Sequence, residues 1–454
     1  MVYRSPLAHD TSGRPPPIRV PLHLPALTES RRVRFSALVA LYVGQGIPQG
    51  LLVVALPAYL AEQGLGPAEV GGYLGLVLLP FTLKVIAGPI MDRYTFPPMG
   101  RRRPWVLAGG IGVVVAFAAM ALVSDAASSL ALVTAAGVAA NICVAVLDVG
   151  VDGMAVDVLE VEEQPRANAL MWGGATVGVA VSAVGTARLL EVGIGAAAGG
   201  VALVLAALLA VPILIRERPG ERLLPWTDGA ASRSAAVPED WRAVIQRLRD
   251  AVQLPASLAL LAAAWCAGAL DGLVIAFMPT LAVGELGWTD TGYADVVALG
   301  QVGAGIAGMV LGSVLIERVG RVRMLVGLAA LVAAVLLTMA SVPALWPVKA
   351  TVVAFALGYL VAFVLLTITL LATGMALCGP AVAATQFALF TASMNVGRSS
   401  GSGALGVLEG VLGPSALFVA VAGFAVAVAV LASRIDLEAH RARLGLEDGA
   451  PARA

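Results

Sequence analysis

Apolar runs of about 20 residues recur along this chain at short intervals, and one such run is the length a helix needs to cross the hydrocarbon of a bilayer. Inside hydrocarbon every backbone N–H and C=O must find its partner within the protein, so only helices and closed barrels can span it. Long unbroken runs belong to the helical solution. They lie near 35–61, 70–91, 105–123, 128–151, 166–187 and 194–215, then near 255–282, 292–316, 323–342, 349–373, 381–407 and 413–433. Composition agrees: 59% of the 454 residues are hydrophobic and 13% are charged, about half the charged share of an ordinary soluble domain. A water-soluble enzyme is thereby excluded. The expected fold is an all-α membrane protein with twelve transmembrane helices.

The formal net charge is zero, yet the basic residues are unevenly placed. With the amino terminus in the cytoplasm, 25 of the 29 Lys and Arg fall in cytoplasmic segments, while only Arg188 and Lys349 fall outside. The positive-inside rule therefore orients the chain with both termini cytoplasmic. Residues 1–34 are rich in Pro and Arg and read as a disordered tail, not a cleavable signal. Residues 217–254 read as a solvated linker with an interfacial helix near Trp241 to Val252, and residues 435–454 as a second cytoplasmic tail.

Two six-helix bundles, 35–216 and 255–434, flank that linker, and each has a charged turn after its second helix. The first turn holds Gly88, Asp92, Arg93, Gly100, Arg101, Arg102 and Arg103; the second holds Ser313, Glu317, Arg318, Gly320, Arg321 and Arg323. An internal duplication explains the match. Such a turn can pair across the two halves and hold one conformer until the bundles rock, or it can serve as a plain positive anchor.

An ionisable side chain within a span costs roughly 2.5–3.5 kcal/mol on insertion scales, so it should face a partner or a water-filled cavity. Lys84, Asp148, Asp152, Asp271 and Arg398 meet that description. They come from both halves, and transporter sites lie at the interface between repeats. Asp148 and Asp152 share a helix face at spacing i, i+4 and raise each other's affinity for a proton; Asp152 alternatively reaches the headgroups. Asp148 and Asp271 are the expected proton carriers, Asp271 having a hydrogen bond to a neighbouring helix as its alternative role. Lys84, between Pro80 and Pro89 in a helix expected to kink, can bind an anionic substrate group or pair with Asp148 or Asp152. Arg398 keeps its charge and suits a fixed anion site or an inter-helix clamp. Gln386 and Thr385 add uncharged polar groups three turns earlier.

Other features point to packing. Cys143, Cys266 and Cys378 stand singly, with no spacing for a disulfide framework or a metal site. His9, His23 and His440 all lie outside the spans, so a membrane-embedded Ser/His triad is excluded. Gly308 with Gly312, and Gly397 with Gly401, are small-residue pairs that let helices approach closely. Tyr42, Gln45, Gln49 and Tyr59 either line a cavity or, for the tyrosines, anchor at the interface.

The segment Lys84 to Arg103, with Pro89-Ile90-Met91-Asp92-Arg93-Tyr94-Thr95, resembles the AmpG-type muropeptide permeases and their relatives in the peptide–acetyl-coenzyme A transporter group of the major facilitator superfamily. Asp148, Asp152, Asp157, Val158 and Leu159 resemble that group's fourth helix, and Ala384 to Leu389 with Asn395 to Arg398 its eleventh. The turn departs from the superfamily's signature in its longer first copy and in Glu317 for Asp. Val156 stands where the muropeptide permeases carry a basic residue, and Asp152 to Val156 is equally similar to the siderophore branch. The resemblance implies proton-driven uptake of an anionic sugar-peptide fragment of cell wall across the inner membrane. It matches Lys84, Asp148, Asp152, Asp271, Gln386 and Arg398 to substrate and proton positions, with Asp92, Arg93, Arg101, Arg102, Glu317, Arg318 and Arg321 as the gate.

The expectation is thus a monomeric secondary transporter that needs protons, a small-molecule substrate and a lipid bilayer, and neither a cofactor, a metal nor nucleic acid. Siderophores and acetyl-coenzyme A are the alternative substrates. An intramembrane transferase is the competing class, and it would need a nucleophile and a base together in the spans.

Overall fold

In the computed structural model, residues 25–94, 96–160, 163–229, 246, 249, 252–378 and 383–443 are described. Helices form where the apolar runs stand: α1 is Arg31–Glu62, α2 is Pro67–Leu78 continued by a 3₁₀ stretch Leu79–Leu83 and then Lys84–Arg93, and α3 is Arg103–Met120. The first set ends with α4 Leu130–Val158, α5 Gln164–Leu190 and α6 Ile194–Leu214. After the linker come α7 Pro255–Glu285, α8 Asp290–Val319, α9 Arg321–Ser341, α10 Lys349–Leu377, α11 Ala383–Glu409, α12 Pro414–Ser433 and a short α13, Leu437–Arg443. Among the described residues, nine of these are long and apolar enough to cross a membrane, namely α1, α3–α7, α9, α10 and α12.

Local chemistry sets the ends. The Ser30 hydroxyl accepts from Val33 N–H and the Thr289 hydroxyl from Gly292 N–H at 3.0 Å, capping α1 and α8. Pro occupies the first turn of α2, α3, α5, α7 and α12, where its missing N–H costs nothing. The two glycines of the charged turns, Gly100 and Gly320, have φ of 102° and 88°, a conformation that a Cβ disfavours. The two turns therefore share a positive-φ glycine, although the first runs from Arg93 to Arg103 and the second is Gly320 alone between α8 and α9.

Packing repeats as well. In the first set α1 lies on α5, and α3 on α4 and α6; in the second α7 lies on α11, and α9 on α10 and α12. The first pair of each set meets backbone to backbone: a Cβ on Gly46, Gly178, Gly268, Gly272, Gly397 or Gly401 would overlap a carbonyl oxygen of the facing helix. The sets join through two seams, α2 with α11 and α5 with α8. Matching α1–α6 onto α7–α12 exchanges α2 with α8 and α5 with α11, so each seam maps onto the other. That is the signature of a twofold relation between repeats.

Three expectations shift at the end of the bundle where α1 begins, α6 ends and α7 begins, here the linker end. Residues 25–34 are not a disordered tail: Ala26 and Leu27 are buried, Leu27 N–H donates to Arg216 O at 2.9 Å, and α1 has begun by Arg31. Residues 216–229 are docked instead of solvated. Glu217 accepts from the N–H groups of Arg101, Arg102 and Arg103 at 3.0, 2.8 and 2.5 Å, closing the start of α3. The Arg103 guanidinium, also buried, donates to carbonyls of Met99, Pro212, Ile213, Arg222 and Leu223. His440, placed by sequence in a polar tail, is buried with Nε2 2.8 Å from Leu377 O. The interfacial helix near Trp241 to Val252 lies largely outside the described residues.

Candidate functional site: ion pairs within the helices

In the first set the site grows from one stripe of α4, where Asn141, Asp148 and Asp152 fall at spacings of seven and four and so share a face. Asn141 is fully buried. Its amide donates to Val77 O at 2.7 Å and its oxygen accepts from Gln49 of α1 at 2.9 Å. Val77 lies just before the 3₁₀ stretch that contains Pro80, so the amide satisfies a carbonyl at the place where α2 changes its winding. At Pro80 α2 changes to 3₁₀ winding, whereas Pro89 stands within the α-helical Lys84–Arg93.

Lys84, the first residue after that stretch, forms an ion pair with Asp148, and its ammonium stands 5.1 Å from the centre of the Phe81 ring. Both side chains of the pair keep some exposure, 23% and 15%. Four residues on, Asp152 accepts from the Tyr42 hydroxyl of α1. Asp152 is an exposed residue six positions before the end of α4, where the adjacent Gly153 lies against Arg102, so it stands toward the linker end. Among the described residues no cation bonds to it.

In the second set Asp271 of α7 accepts from the Arg398 guanidinium of α11 at 2.6 Å and from the Tyr359 hydroxyl of α10 at 3.3 Å. Asp271 is buried while Arg398 is 30% exposed, so the guanidinium is the face the pair presents. Arg398 Nε is buried and has no partner among the described residues. Tyr359 is held by stacking on Phe355 and Phe363, with ring centres 5.9 and 5.6 Å apart.

Each embedded charge thus finds its partner inside its own set. The two pairs also stand at different depths. Ser399, next to Arg398, donates to Gly75 O of α2 at 2.5 Å, and Lys84 lies nine residues further along α2, roughly 13 Å of helical rise. Gln386 does not join them. It is buried near the linker end, where its amide bonds Ser257 Oγ at 3.3 Å and Leu377 O at 3.2 Å, twelve residues and roughly 18 Å of rise from Arg398.

In the charged turn, Arg101 and Arg102 reach Asp157 of α4, at 3.6 and 3.2 Å, a contact within the first set and not across the seam. Arg318 and Arg321 are exposed at the same end. The side chains of Asp92, Arg93, Glu317 and Thr385 lie outside the described residues.

Far from the linker end, polar groups join the sets directly. Arg188 of α5 pairs with Asp295 of α8 at 3.2 Å, and a cavity of about 300 Å³ is lined by Tyr59, Glu62, Gln63, Leu190, Glu191, Thr289, Asp290 and Thr291. Among the described residues no cluster of three or more metal-ligating side chains occurs. The sequence singles out Tyr42 without its partner and gives no prominence to Asn141, Ser399 or Tyr359. Of these three only Asn141 carries a signal, a carboxamide seven residues before Asp148 on the same face.

Comparison with known proteins agrees with this architecture. The chain is 29% identical over 383 residues to an anhydromuropeptide permease of Escherichia coli (strain K12), covering 80% of this chain and 72% of that protein. A folate-biopterin transporter of Synechocystis sp. is 32% identical over 164 residues, covering 34% of this chain and 31% of the other. The crystal structure of a mutant of the nucleoside transporter NupG superposes with a TM-score of 0.65 at 12% identity, covering 88% of this chain and 99% of that one, a likeness of fold. The sequence pattern of the Major Facilitator Superfamily matches residues 38–402. With its helical repeats and embedded ion pairs, this chain is a membrane transporter, not an enzyme, and it belongs to the Major Facilitator Superfamily.

Proposed function

We propose that the protein imports anhydromuropeptides across the inner membrane by proton-coupled alternating access, as a twelve-span monomer with both termini cytoplasmic. Support for the substrate comes from the permease similarity over four-fifths of the chain. Support for the mechanism comes from one structural observation: two ion pairs, Lys84–Asp148 and Arg398–Asp271, flank the seam from opposite sets, each with its cation partly exposed. A muropeptide is anionic, and its carboxylates can compete with Asp148 and Asp271 for the two cations. Substrate entry would then break contacts within each set and let the sets rock.

The proton is carried by Asp152 in this mechanism, and not by Asp148 or Asp271. Among the described residues Asp148 and Asp271 are each held by a cation, whereas Asp152 is exposed and accepts from the Tyr42 hydroxyl. Protonating Asp152 removes a charge from the α4 stripe beside Asp148. The three segments outside the nine apolar spans, α2, α8 and α11, complete the count of twelve, and with α5 they form the two seams. The charged turns at the linker end would lock against each other in the conformer that closes that end.

The test is uptake into right-side-out vesicles, comparing labelled anhydromuropeptide, ferric siderophore and acetyl-coenzyme A under an imposed proton gradient. Accumulation of the first alone, abolished by a protonophore, is the expected result. Accumulation of either other compound overturns the substrate, and accumulation indifferent to the protonophore overturns the coupling.

A further inference from the structure

One large side chain takes no part in the ion pairs or the seams. Trp172 of α5 is 59% exposed, two turns into its helix. Its direction follows from the helix period. Val179, Ala183, Thr186 and Leu190 stand 7, 11, 14 and 18 residues beyond it and so share its stripe. That stripe is covered further along: Ala183, Thr186 and Leu190 are buried, and Gly50 of α1 sits so close that a Cβ there would lie 2.6 Å from Ala183 N. Val177 and Val181, exposed at 48% and 66%, are rotated well away from it and mark the outer face of α5.

Trp172 therefore faces inward at a level where its neighbours have drawn apart. One turn beyond it, Thr176 still touches α8, its Cγ2 3.1 Å from where a Cβ on Gly305 would lie. The glycine contacts set the twofold register, Gly178 against Val43 O matching Gly397 against Trp265 O, so the counterpart of Trp172 is Thr391. Tyr42, one turn before Gly46 of α1 as Met171 is one turn before Ala175 of α5, stands at the level of Trp172 and donates to the exposed Asp152.

A bare indole face in that open interior, beside a carboxylate and a tyrosine hydroxyl, offers the pairing that a sugar ring needs. The apolar C–H face of a pyranose lies on the indole, while its hydroxyls and acetamido group find polar partners at the edge. We infer that Trp172 is the surface on which a pyranose ring of the substrate stacks during transport. The peptide portion is left to the charged pairs. This inference rests on the muropeptide reading and assigns the sugar end of that substrate.

The experiment uses the full-length protein in proteoliposomes, with labelled N-acetylglucosaminyl-anhydro-N-acetylmuramyl-tetrapeptide as the probe, and the free disaccharide and free tetrapeptide as competitors. Trp172→Ala and Trp172→Leu should each raise KM at least tenfold and abolish competition by the disaccharide, leaving competition by the tetrapeptide in place. Trp172→Phe, which keeps a ring, should stay within about threefold of the unaltered protein. Unchanged disaccharide competition in the Leu variant overturns the inference. Equal loss of both competitions overturns it too, as does an unaltered protein that imports the probe but ignores the disaccharide. Failure of the unaltered protein to import the probe overturns the muropeptide reading itself.

Discussion

Ser399 Oγ donates to Gly75 O at 2.5 Å, so the residue beside Arg398 ties α11 of the second helix set to α2 of the first. Around this bond the two helices run almost backbone to backbone. A Cβ on Gly75 would lie 3.0 Å from Gly403 Cα and 3.1 Å from Ser399 O, and one on Gly71 2.5 Å from Ser402 O. A shift of α11 that freed Arg398 from Asp271 would also slide this contact, so the seam and the ion pair are mechanically linked.

Widening the seam should therefore be worse than weakening the bond. Gly75→Leu should reduce transport more than tenfold at normal membrane insertion, because its neighbours are backbone atoms of α11 that cannot step aside. Ser399→Ala should cost only about 1 kcal/mol and leave uptake within threefold. Initial rates of uptake in vesicles, normalised to inserted protein, check both.

Breaking the buried pair from one side leaves a charge behind. Asp271→Asn or Arg398→Gln alone should destabilise the protein by roughly 3–5 kcal/mol, and the two together by clearly less, since neither charge then remains. Thermal melting in detergent reads this interaction. Strict additivity of the two single effects would show that the pair is not coupled.

Asp152→Asn should abolish proton-driven accumulation while sparing counterflow of substrate between the two sides of the membrane. Asp148→Asn, which strips Lys84 of its partner, should impair both. Parallel accumulation and counterflow assays in proteoliposomes distinguish the two outcomes, and normal accumulation by the Asp152→Asn variant removes Asp152 from the proton path.

Docking of the linker should depend on pH through Glu221. Burial, and then repulsion from Glu217, push its carboxyl up to about 7 from an ordinary 4.5, against the Arg218 amide and the Arg103 and Arg218 charges, which act the other way. The docked form then holds its proton more tightly than the undocked chain. Its contribution to stability is complete below about pH 4.5, declines as pH rises to about 7 and is flat above. Melting temperatures between pH 5 and 8 should fall with rising pH more steeply in the unaltered protein than in Glu221→Gln, and equal slopes would contradict the assignment.

Much of the architecture was legible because hydrocarbon leaves the backbone so few options. Apolar runs near 255–282 and 349–373 became Pro255–Glu285 and Lys349–Leu377, and the glycines of the repeated turn carried their backbone shape in the sequence. The linker end is not legible in the same way, since Glu217 and Arg103 look like surface charges in any window of sequence. Their burial depends on three backbone amides and five carbonyls, supplied by segments up to 120 residues away in the chain.

The sequence by itself determined that this chain spans a membrane as helices, that it is duplicated, and which ionisable side chains are carried into the spans, because each of these follows from hydropathy and periodicity along the chain. Only the tertiary structure decided the partners: Lys84 with Asp148, Arg398 with Asp271, Tyr42 with Asp152, and Gln386 with Ser257 away from them all. Periodicity states which face of a helix a residue occupies, whereas pairing depends on which helix lies against that face and at what height, and both are set by backbone-close packing between distant segments.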